Sequence, residues 1–145
     1  MGKRRSSREL ALKFLYQSEL NAGDLAEQME GFLEMSPGKE DVKKYLVDLV
    51  EIISLHKKEI DDLLQKSSEN WTLSRMTVID RNILRIATAE LMFHKDVPAK
   101  VAIDEAVEIA KKFGSEDSPD FINGVLDRIK KEMENMMDYV NNNVF

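Results

Sequence analysis

Apolar residues recur every three or four positions along most of this 145-residue chain. The longest such stripe steps by four and three residues through seven positions: Val42, Leu46, Leu49, Ile53, His56, Ile60 and Leu63. This period matches an α-helix, in which residues three and four positions apart share a face. The stripe therefore predicts one kinked helix or two helices placed end to end, with His56 at the edge of the core.

The N-terminal segment predicts a helix with a buried body. Ser6 and Glu9 have the spacing of a capping box, which places the helix start at about residue 6. Residues 10–15 are too densely apolar for a helix that buries only one side. We therefore expect the body of this helix to lie in the core, while its basic tip stays in solvent.

A second short helix is predicted after a break at Asn21-Ala22-Gly23. Asp24 is its expected N-cap, because a short polar side chain there can accept a hydrogen bond from a free backbone N–H. Its apolar face has four members: Leu25, Met29, Phe32 and Leu33. Ser36-Pro37-Gly38 then predicts a turn.

The stretch from Ser74 or Thr77 to Phe93 predicts a central helix, because its apolar residues occupy several faces. Four charged residues lie among these apolar neighbours: Asp80, Arg81, Arg85 and Glu90. An isolated ion in a protein core is unfavourable. We therefore expect each of the four to have a partner.

Two more helices are predicted in the last third of the chain. Pro98 is expected in the first turn of one, and Gly114 is expected to close it as the C′ residue. Ser118 is the expected N-cap of the last helix, with Pro119 at its first position. Gly124 is a poor helix former, and a close approach of another helix would explain its position.

No segment alternates as a β-strand does, so six or seven helices with short loops predict an all-α bundle. We expect one domain over residues 1–145, made of two three-helix halves. These halves cover about 1–70 and 71–137 and meet near 67–72. The tail 138–145 has weak periodicity and is expected to fray.

Composition excludes several kinds of site. The chain has no cysteine, which excludes disulfides, thiolate metal sites and cysteine nucleophiles. Its two histidines, His56 and His94, lack the spacing of metal ligands, and no metal or other cofactor is expected. No apolar run approaches the roughly 18 residues of a membrane span. We therefore expect a cytoplasmic protein without a membrane partner.

An enzyme is not expected, because the chain has no phosphate-binding loop, nucleophile elbow or paired histidines. Carboxylates are abundant, and in a chain with many carboxylates most of them are expected to lie in solvent. Five of them are expected on solvated helix faces: Asp61, Asp62, Asp104, Glu105 and Glu108. An acid/base hydrolase would instead require two buried carboxylates in one cleft.

Positive charge is concentrated at the N-terminus. The first 13 residues hold five cations and one anion, whereas the whole chain has a net charge of −6. On a helix, five residues of this region share one side: Arg5, Arg8, Glu9, Leu12 and Tyr16. Arginines can bind phosphates while an exposed tyrosine stacks on an unpaired base, as in single-stranded RNA recognition. The alternative is a solvated N-terminus with Tyr16 half in the core.

A second candidate surface is the segment "SEDSPDF", residues 115–121. Phe121 flanks the apolar stripe of the last helix, and the free N–H groups at that helix start would attract a phosphate. Three acidic residues oppose such binding: Glu116, Asp117 and Asp120. Alternatively, these acids only cap the helix.

Three segments resemble the NusB family of bacterial transcription antitermination factors: "RRSSRELALKFLYQSEL", "WTLSRMTVIDRNILRIATAELMF" and "VPAKVAIDEAVEIAKKFGSEDSPDFINGVLDRI". The resemblance extends from about Arg4 to Ile129. It implies a helical bundle of two three-helix subdomains and no catalytic activity. It also implies binding of the boxA element in nascent RNA, as a heterodimer with the ribosomal protein NusE. This heterodimer would help to assemble an antitermination complex with RNA polymerase during ribosomal RNA synthesis.

The resemblance also assigns residues to the RNA surface. It implies that four cations contact RNA phosphates: Lys3, Arg4, Arg5 and Arg8. Five further positions match the neighbourhood of the family's RNA surface: Tyr16, Asp80, Asp117, Ser118 and Phe121. The acidic remainder of the molecule would receive the basic ribosomal protein. The alternative function is a helical protein-interaction module without specific RNA binding.

Overall fold

The computed structural model describes residues 2–36, 38–68 and 71–143. Within these ranges the chain forms α-helices and one short 3-10 helix, Leu73–Arg75, and no β-strand, which confirms the all-α prediction. The described α-helices number seven: α1 (Lys3–Leu20), α2 (Leu25–Met35), α3 (Glu40–Leu55), α4 (Lys57–Ser67), α5 (Val78–Phe93), α6 (Ala99–Phe113) and α7 (Ser118–Asn143). None of these described helices has both the length and the apolar character that a membrane crossing requires.

Helix α5 is the centre of the bundle. All of its residues from 82 to 91 are buried, because α1, α3, α4, α6 and α7 surround it. Helix α1 packs on α2 and α3, and α5, α6 and α7 pack on one another, which gives two groups of three helices. Helix α4 contacts α3, α5 and α7 and so joins the groups. The residue limits expected for the two halves, and the fraying of the tail, stay predictions.

The stripe from Val42 to Leu63 forms two helices that meet at His56. The backbone of His56 leaves the helical region there (φ −111°, ψ 25°), which ends α3 and begins α4. Its ring stacks on Phe93 with centroids 4.2 Å apart, and its Nδ1 lies 3.0 Å from Glu59 Oε1. His56 therefore lies at the core edge, as predicted.

The predicted capping box at the start of α1 is wrong. Helix α1 begins at Lys3, and Ser6 and Ser7 lie inside it. The buried Ser7 hydroxyl donates toward two carbonyl oxygens, at 2.7 Å from Val42 and 3.1 Å from Lys3. Because this hydroxyl is bound to a carbonyl of α3, it fixes the tip of α1 to a second helix.

The predicted cap at Asp24 is confirmed, and Thr77, one of the two predicted starts of α5, is also a cap. Asp24 caps α2 by accepting from the Ala26 N–H at 3.3 Å, and Thr77 caps α5 by accepting from the Asp80 N–H at 3.1 Å. Pro98 lies immediately before α6 instead of in its first turn. Of the predicted turn at residues 36–38, position 37 lies outside the described residues.

The connection between α6 and α7 differs from the prediction at Gly114 and Ser118. Gly114 ends α6, but its φ of −89° is accessible to any residue. It is required for space, since a Cβ there would lie 2.6 Å from Ser118 Cβ and Oγ. Ser118 is the first residue of α7 and not its N-cap, because its hydroxyl accepts from the Ser115 N–H at 2.9 Å. The prediction that another helix approaches closely at Gly124 is also wrong, since a Cβ there would meet nothing within 4 Å.

Candidate nucleic-acid interface

The basic tip of α1 is folded against the rest of the molecule. Residues 3–8 lie in the first two turns of α1, whose positions Ser7 fixes relative to α3. Each of the four predicted cations lies within ion-pair distance of a carboxylate from another element: Lys3–Asp41 (2.7 Å), Arg4–Asp96 (2.9 Å), Arg5–Glu105 (2.6 Å) and Arg8–Glu90 (2.9 Å). The tip is therefore held against the rest of the molecule by ion pairs, although the side chains of Lys3 and Arg4 stay exposed to solvent.

Exposure of these cations falls along the helix. The Arg4 side chain is 47% exposed, whereas that of Arg8 is only 5% exposed. The expectation that the whole tip lies in solvent is wrong for Arg8. It faces α5, where the buried carboxylate of Glu90 requires a positively charged partner.

Glu90 binds two partners in the interior. Both of its oxygens accept from Arg8 Nε at 2.9 Å, and the Tyr45 hydroxyl donates to Oε2. Burial, followed by this hydrogen bond and the charge of Glu90, raises the pKa of Tyr45 above its ordinary value. The guanidinium of Arg4 lies 4.6 Å from the centroid of the Tyr45 ring. The tyrosine thus links the buried pair to the exposed arginine by a cation–π contact.

Arg5 and Glu105 form a two-pronged ion pair. Arg5 Nε donates to Oε1 at 2.8 Å, and Nη2 donates to Oε2 at 2.6 Å. The hydrogen bond from Arg5 is the largest cause that lowers the pKa of Glu105 below its ordinary value. The expectation that Glu105 lies on a solvated face is therefore wrong. Asp61 departs from that expectation for the same reason, since its oxygens accept from Arg85 at 2.9 and 3.1 Å.

Three of the four charged residues of α5 that were predicted to need partners have them. Glu90 binds Arg8, and both Arg81 and Arg85 donate to Glu19 near the end of α1. Asp80 differs, because its Oδ1 is buried and has no hydrogen-bond partner within the described part of the chain. Arg81 and Arg85 therefore hold helices together in this structure.

Tyr16 lies further along α1 than the basic tip, on a helix that rises by about 1.5 Å per residue. Its ring is exposed and lines a groove of about 450 Å³, whose walls include Ile79 and Phe113. Two ammonium groups, of Lys13 and Lys112, lie 5.8 and 5.3 Å from the centroid of the Phe113 ring. An aromatic surface thus lies beside positive charge, as base stacking with phosphate contact requires.

The third group of predicted residues lies at the start of α7. Ser118 is buried and orders the preceding loop, whereas Asp117 is exposed. Phe121 is half-buried and makes an edge-to-face contact with Trp71, with ring centroids 6.2 Å apart. Sequence reasoning did not identify Trp71 as part of this surface, because no motif surrounds it and its neighbour is 50 positions away. Its presence as an isolated large aromatic residue was the available signal.

The structure thus places the predicted residues in separate groups. Three arginines line one cleft of about 290 Å³ together with Asp96 and Glu105: Arg4, Arg5 and Arg8. Tyr16 lies in a second groove, and Phe121 lies beside Trp71. Within residues 2–36, 38–68 and 71–143, no group of three or more histidine, aspartate or glutamate side chains could hold a metal ion. Arginine matches planar oxyanions with two parallel hydrogen bonds, and in this cleft the carboxylates of Asp96 and Glu105 accept from Arg4 and Arg5.

Comparisons with known proteins identify relatives of this chain. Residues 5–131 match the sequence model of the NusB family. The transcription antitermination protein NusB of Geobacter sulfurreducens is 48% identical over 130 residues, which are 89% of this chain and 94% of that protein. The NusB of Trichlorobacter lovleyi is 45% identical over 130 residues, 90% of this chain and 92% of that protein.

Solved structures agree with the sequence comparison. A structure of T. maritima NusB matches with a TM-score of 0.81 and 44% identity, covering 89% of this chain and 91% of that one. A crystal structure of the antitermination factors NusB and NusE in complex with dsRNA matches with a TM-score of 0.81 and 29% identity, covering 91% and 98%. By sequence and by fold, this chain belongs to the NusB family.

Proposed function

We propose that this protein is a transcription antitermination factor that binds boxA RNA together with the ribosomal protein NusE during ribosomal RNA transcription. The observation that carries the proposal is the match, over 91% of this chain, to a structure of NusB and NusE with dsRNA. Relatives at 45–48% identity are named transcription antitermination proteins. This function is binding and assembly, and it requires no catalytic residue.

The RNA would contact the three groups of predicted residues in different ways. Lys3, Arg4 and Arg5 bind backbone phosphates, since their charged ends reach the surface. Tyr16 and Phe121 stack on unpaired bases. Arg8 has a structural role, because its ion pair with Glu90 holds the tip of α1 against α5.

Three polar residues complete the proposed RNA surface. Ser118 orders the loop that presents Phe121, and Asp117 lies exposed in that loop. Asp80 lies half-buried in the first turn of α5, beside the proposed surface, and its buried Oδ1 has no hydrogen-bond partner among the described residues. With these roles, acidic and neutral polar side chains lie beside the basic ones on the proposed RNA surface.

The proposed partners follow from charge. The chain is acidic overall, at −6, although its first 13 residues carry a net +4, so the remaining surface attracts a basic ribosomal protein. We propose that the heterodimer with NusE joins an antitermination complex with RNA polymerase in the cytoplasm. One domain over residues 1–145 would suffice, with halves at about 1–70 and 71–137 and the tail 138–145 outside the site.

A second candidate function is a helical protein-interaction module without specific RNA binding. One observation favours it: every cation of the predicted RNA tip already contacts a carboxylate of the same chain. If these ion pairs stay closed, the carboxylates offset the charge of the four cations and the tip does not attract RNA.

Fluorescence anisotropy of a labelled boxA RNA, with and without NusE and at several salt concentrations, separates the two functions. Three phosphate contacts on a single strand predict a slope of log K against log salt of about −2. The double substitution Arg4→Ala and Arg5→Ala removes two contacts, so it should weaken binding and flatten the slope to about −0.7. NusE should tighten binding by the wild-type protein.

The matched control removes two cations from another helix. Lys130→Ala with Lys131→Ala, on α7, changes the net charge equally and should leave boxA affinity within about twofold of the wild type. Equal, weak binding to boxA and scrambled RNA, unchanged by NusE, would instead support the protein-interaction module.

A further inference from the structure

A cleft between the first turns of α1 and α6 holds cations and anions in contact. Arg4, Arg5 and Arg8 line it together with Asp96 and Glu105, and its volume is about 290 Å³. The carboxylates are not incidental neighbours, since each accepts a hydrogen bond of 2.9 Å or less from one of these arginines. Any phosphate that enters the cleft therefore meets arginines that are already engaged.

Glu105 occupies the place that a phosphate would take on Arg5. Its two oxygens receive parallel hydrogen bonds from Nε and Nη2, at 2.8 and 2.6 Å. An RNA phosphate presents two oxygens to the same fork of donors. Arginine cannot serve both acceptors with this edge, so a phosphate that binds Arg5 through Nε and Nη2 must displace Glu105.

Release of Arg5 does not leave Glu105 without a cation. Arg8 Nη1 lies 3.4 Å from Glu105 Oε1, and Arg8 itself stays anchored by Glu90. The carboxylate can therefore shift toward Arg8 when Arg5 turns to a phosphate. Since Glu105 is only 17% exposed, this second partner avoids the unfavourable state of a partly buried, unpaired ion.

Arg4 has the same arrangement in a more exposed form. Its Nη2 donates to Asp96 Oδ2 at 2.9 Å, and Asp96 is 60% exposed. Water can solvate Asp96 once Arg4 leaves it. The Tyr45 ring, 4.6 Å from the guanidinium, keeps Arg4 close to the cleft during the exchange.

We propose that Glu105 and Asp96 are built-in competitors of RNA, which phosphates displace from Arg5 and Arg4, and that these two carboxylates set the RNA affinity of the free protein. This inference rests on the proposed function. It predicts an unusual effect, because removal of a charged residue from the binding site strengthens binding. An RNA reaches full affinity only when it offers phosphates to both arginines, since a single contact must compete with a fixed carboxylate.

The test measures binding of labelled boxA RNA to Glu105→Gln. Glutamine keeps the size of the side chain and removes its charge, so the carboxylate that competes for the Nε and Nη2 edge of Arg5 is lost. The variant should bind boxA about 3- to 10-fold more tightly at low salt. Its slope of log K against log salt should be steeper by up to about 0.7, the contribution of one phosphate contact on a single strand.

Asp104→Asn is the matched control, since it removes the same charge from the adjacent residue. Asp104 is exposed and pairs with Lys100 at 3.2 Å, so it contacts none of the three arginines. Its affinity should stay within about twofold of the wild type. If Asp104→Asn and Glu105→Gln tighten binding equally, the effect is one of overall charge and the inference is overturned.

A second variant covers the case in which loss of Glu105 disturbs folding. Asp96→Asn lies in an exposed turn and should also tighten binding, by about threefold. Thermal unfolding of all variants shows which are folded. Weaker binding by folded Glu105→Gln or Asp96→Asn overturns the inference while the proposed function stands. If the wild type and every variant bind boxA no better than scrambled RNA, the proposed function fails and the inference fails with it.

Discussion

Arg8 shows how a residue of a basic cluster can serve the fold. Its side chain lies in the interior, where Glu90 and Glu105 accept from it and Tyr45 shares Glu90. A buried carboxylate that loses its cation remains desolvated without compensation. The same arginine that the family resemblance places among the RNA contacts is therefore needed for the stability of the bundle.

The substitution Arg8→Ala should lower the free energy of unfolding by about 3–5 kcal/mol, because Glu90 is left buried and unpaired. Urea denaturation followed by circular dichroism measures this change. Arg4→Ala is the control, since the exposed pair with Asp96 is expected to contribute at most about 1 kcal/mol. Equal destabilisation by the two substitutions would contradict a structural role specific to Arg8.

Sequence reasoning at the residue scale identified which charges needed partners but not which partners they have. Arg85 and Glu90 were recognisable because they lie among apolar residues of one helix. Their partners are distant: Asp61 lies 24 positions from Arg85, and Arg8 lies 82 positions from Glu90. Helical periodicity contains no information on contacts at such separations. For that reason Glu105 and Asp61 were assigned to solvent.

Helix ends are the feature in which this chain departs most from local rules. Ser7 and Ser118 both lie near helix starts, yet neither hydroxyl caps its own helix. Each binds a backbone group outside that helix, the Val42 carbonyl in one case and the Ser115 N–H in the other. Where no such competitor exists, as at Asp24, the local rule predicted the cap correctly.

Two glycines near and within α7 should respond oppositely to alanine. Gly114→Ala places a methyl group 2.6 Å from Ser118 and should destabilise the protein by about 1–3 kcal/mol. Gly124→Ala meets no atom within 4 Å inside a helix and should stabilise it by about 0.5–1 kcal/mol. Thermal unfolding of both variants tests this. A decrease in stability of similar size in both would mean that spatial constraint does not distinguish the two positions.

Ion pairs between helices hold the whole molecule together at one end. Glu19 of α1 accepts from Arg81 and Arg85 of α5, and Arg85 also donates to Asp61 of α4. Burial alone would raise the pKa of Glu19, but hydrogen bonds and charge from the two arginines lower it below the ordinary value. Glu105 has a lowered pKa at the opposite end of α1.

These lowered pKa values predict acid lability. A carboxyl whose pKa is lower in the folded state stabilises the protein above its unfolded pKa, and this contribution is lost as pH falls through the folded value. Stability should therefore be constant near neutral pH and decrease from about pH 5 downward. Urea unfolding at pH 7, 5 and 3 measures the decrease. Glu19→Gln should be less stable at pH 7 and show a smaller decrease, and an unchanged pH profile would contradict this role.

At the scale of the whole molecule, the class of fold followed from periodicity, and the family resemblance assigned residues to an RNA surface, an assignment that stays a prediction. The sequence did not predict how these residues are grouped in space, because the grouping depends on how helices that are distant in sequence pack together. Tyr16 and Arg5 share a face of α1, yet they line different depressions. Ile79 of α5 and the end of α6 line the groove at Tyr16, whereas the start of α6 and the loop before it line the cleft at Arg5. Only the packed bundle shows that three arginines converge on one cleft with two competing carboxylates.

The contact between Trp71 and Phe121 has a practical consequence. Trp71 is the only tryptophan in the chain and is exposed, so the intrinsic tryptophan emission originates from a single fluorophore at the surface. Gln65 fixes the backbone that follows it, since its Nε2 donates to the Trp71 carbonyl and its Oε1 accepts from the Leu73 N–H, both at 3.1 Å. The unlabelled protein therefore contains an optical probe at a defined position, next to the aromatic residue at the start of α7.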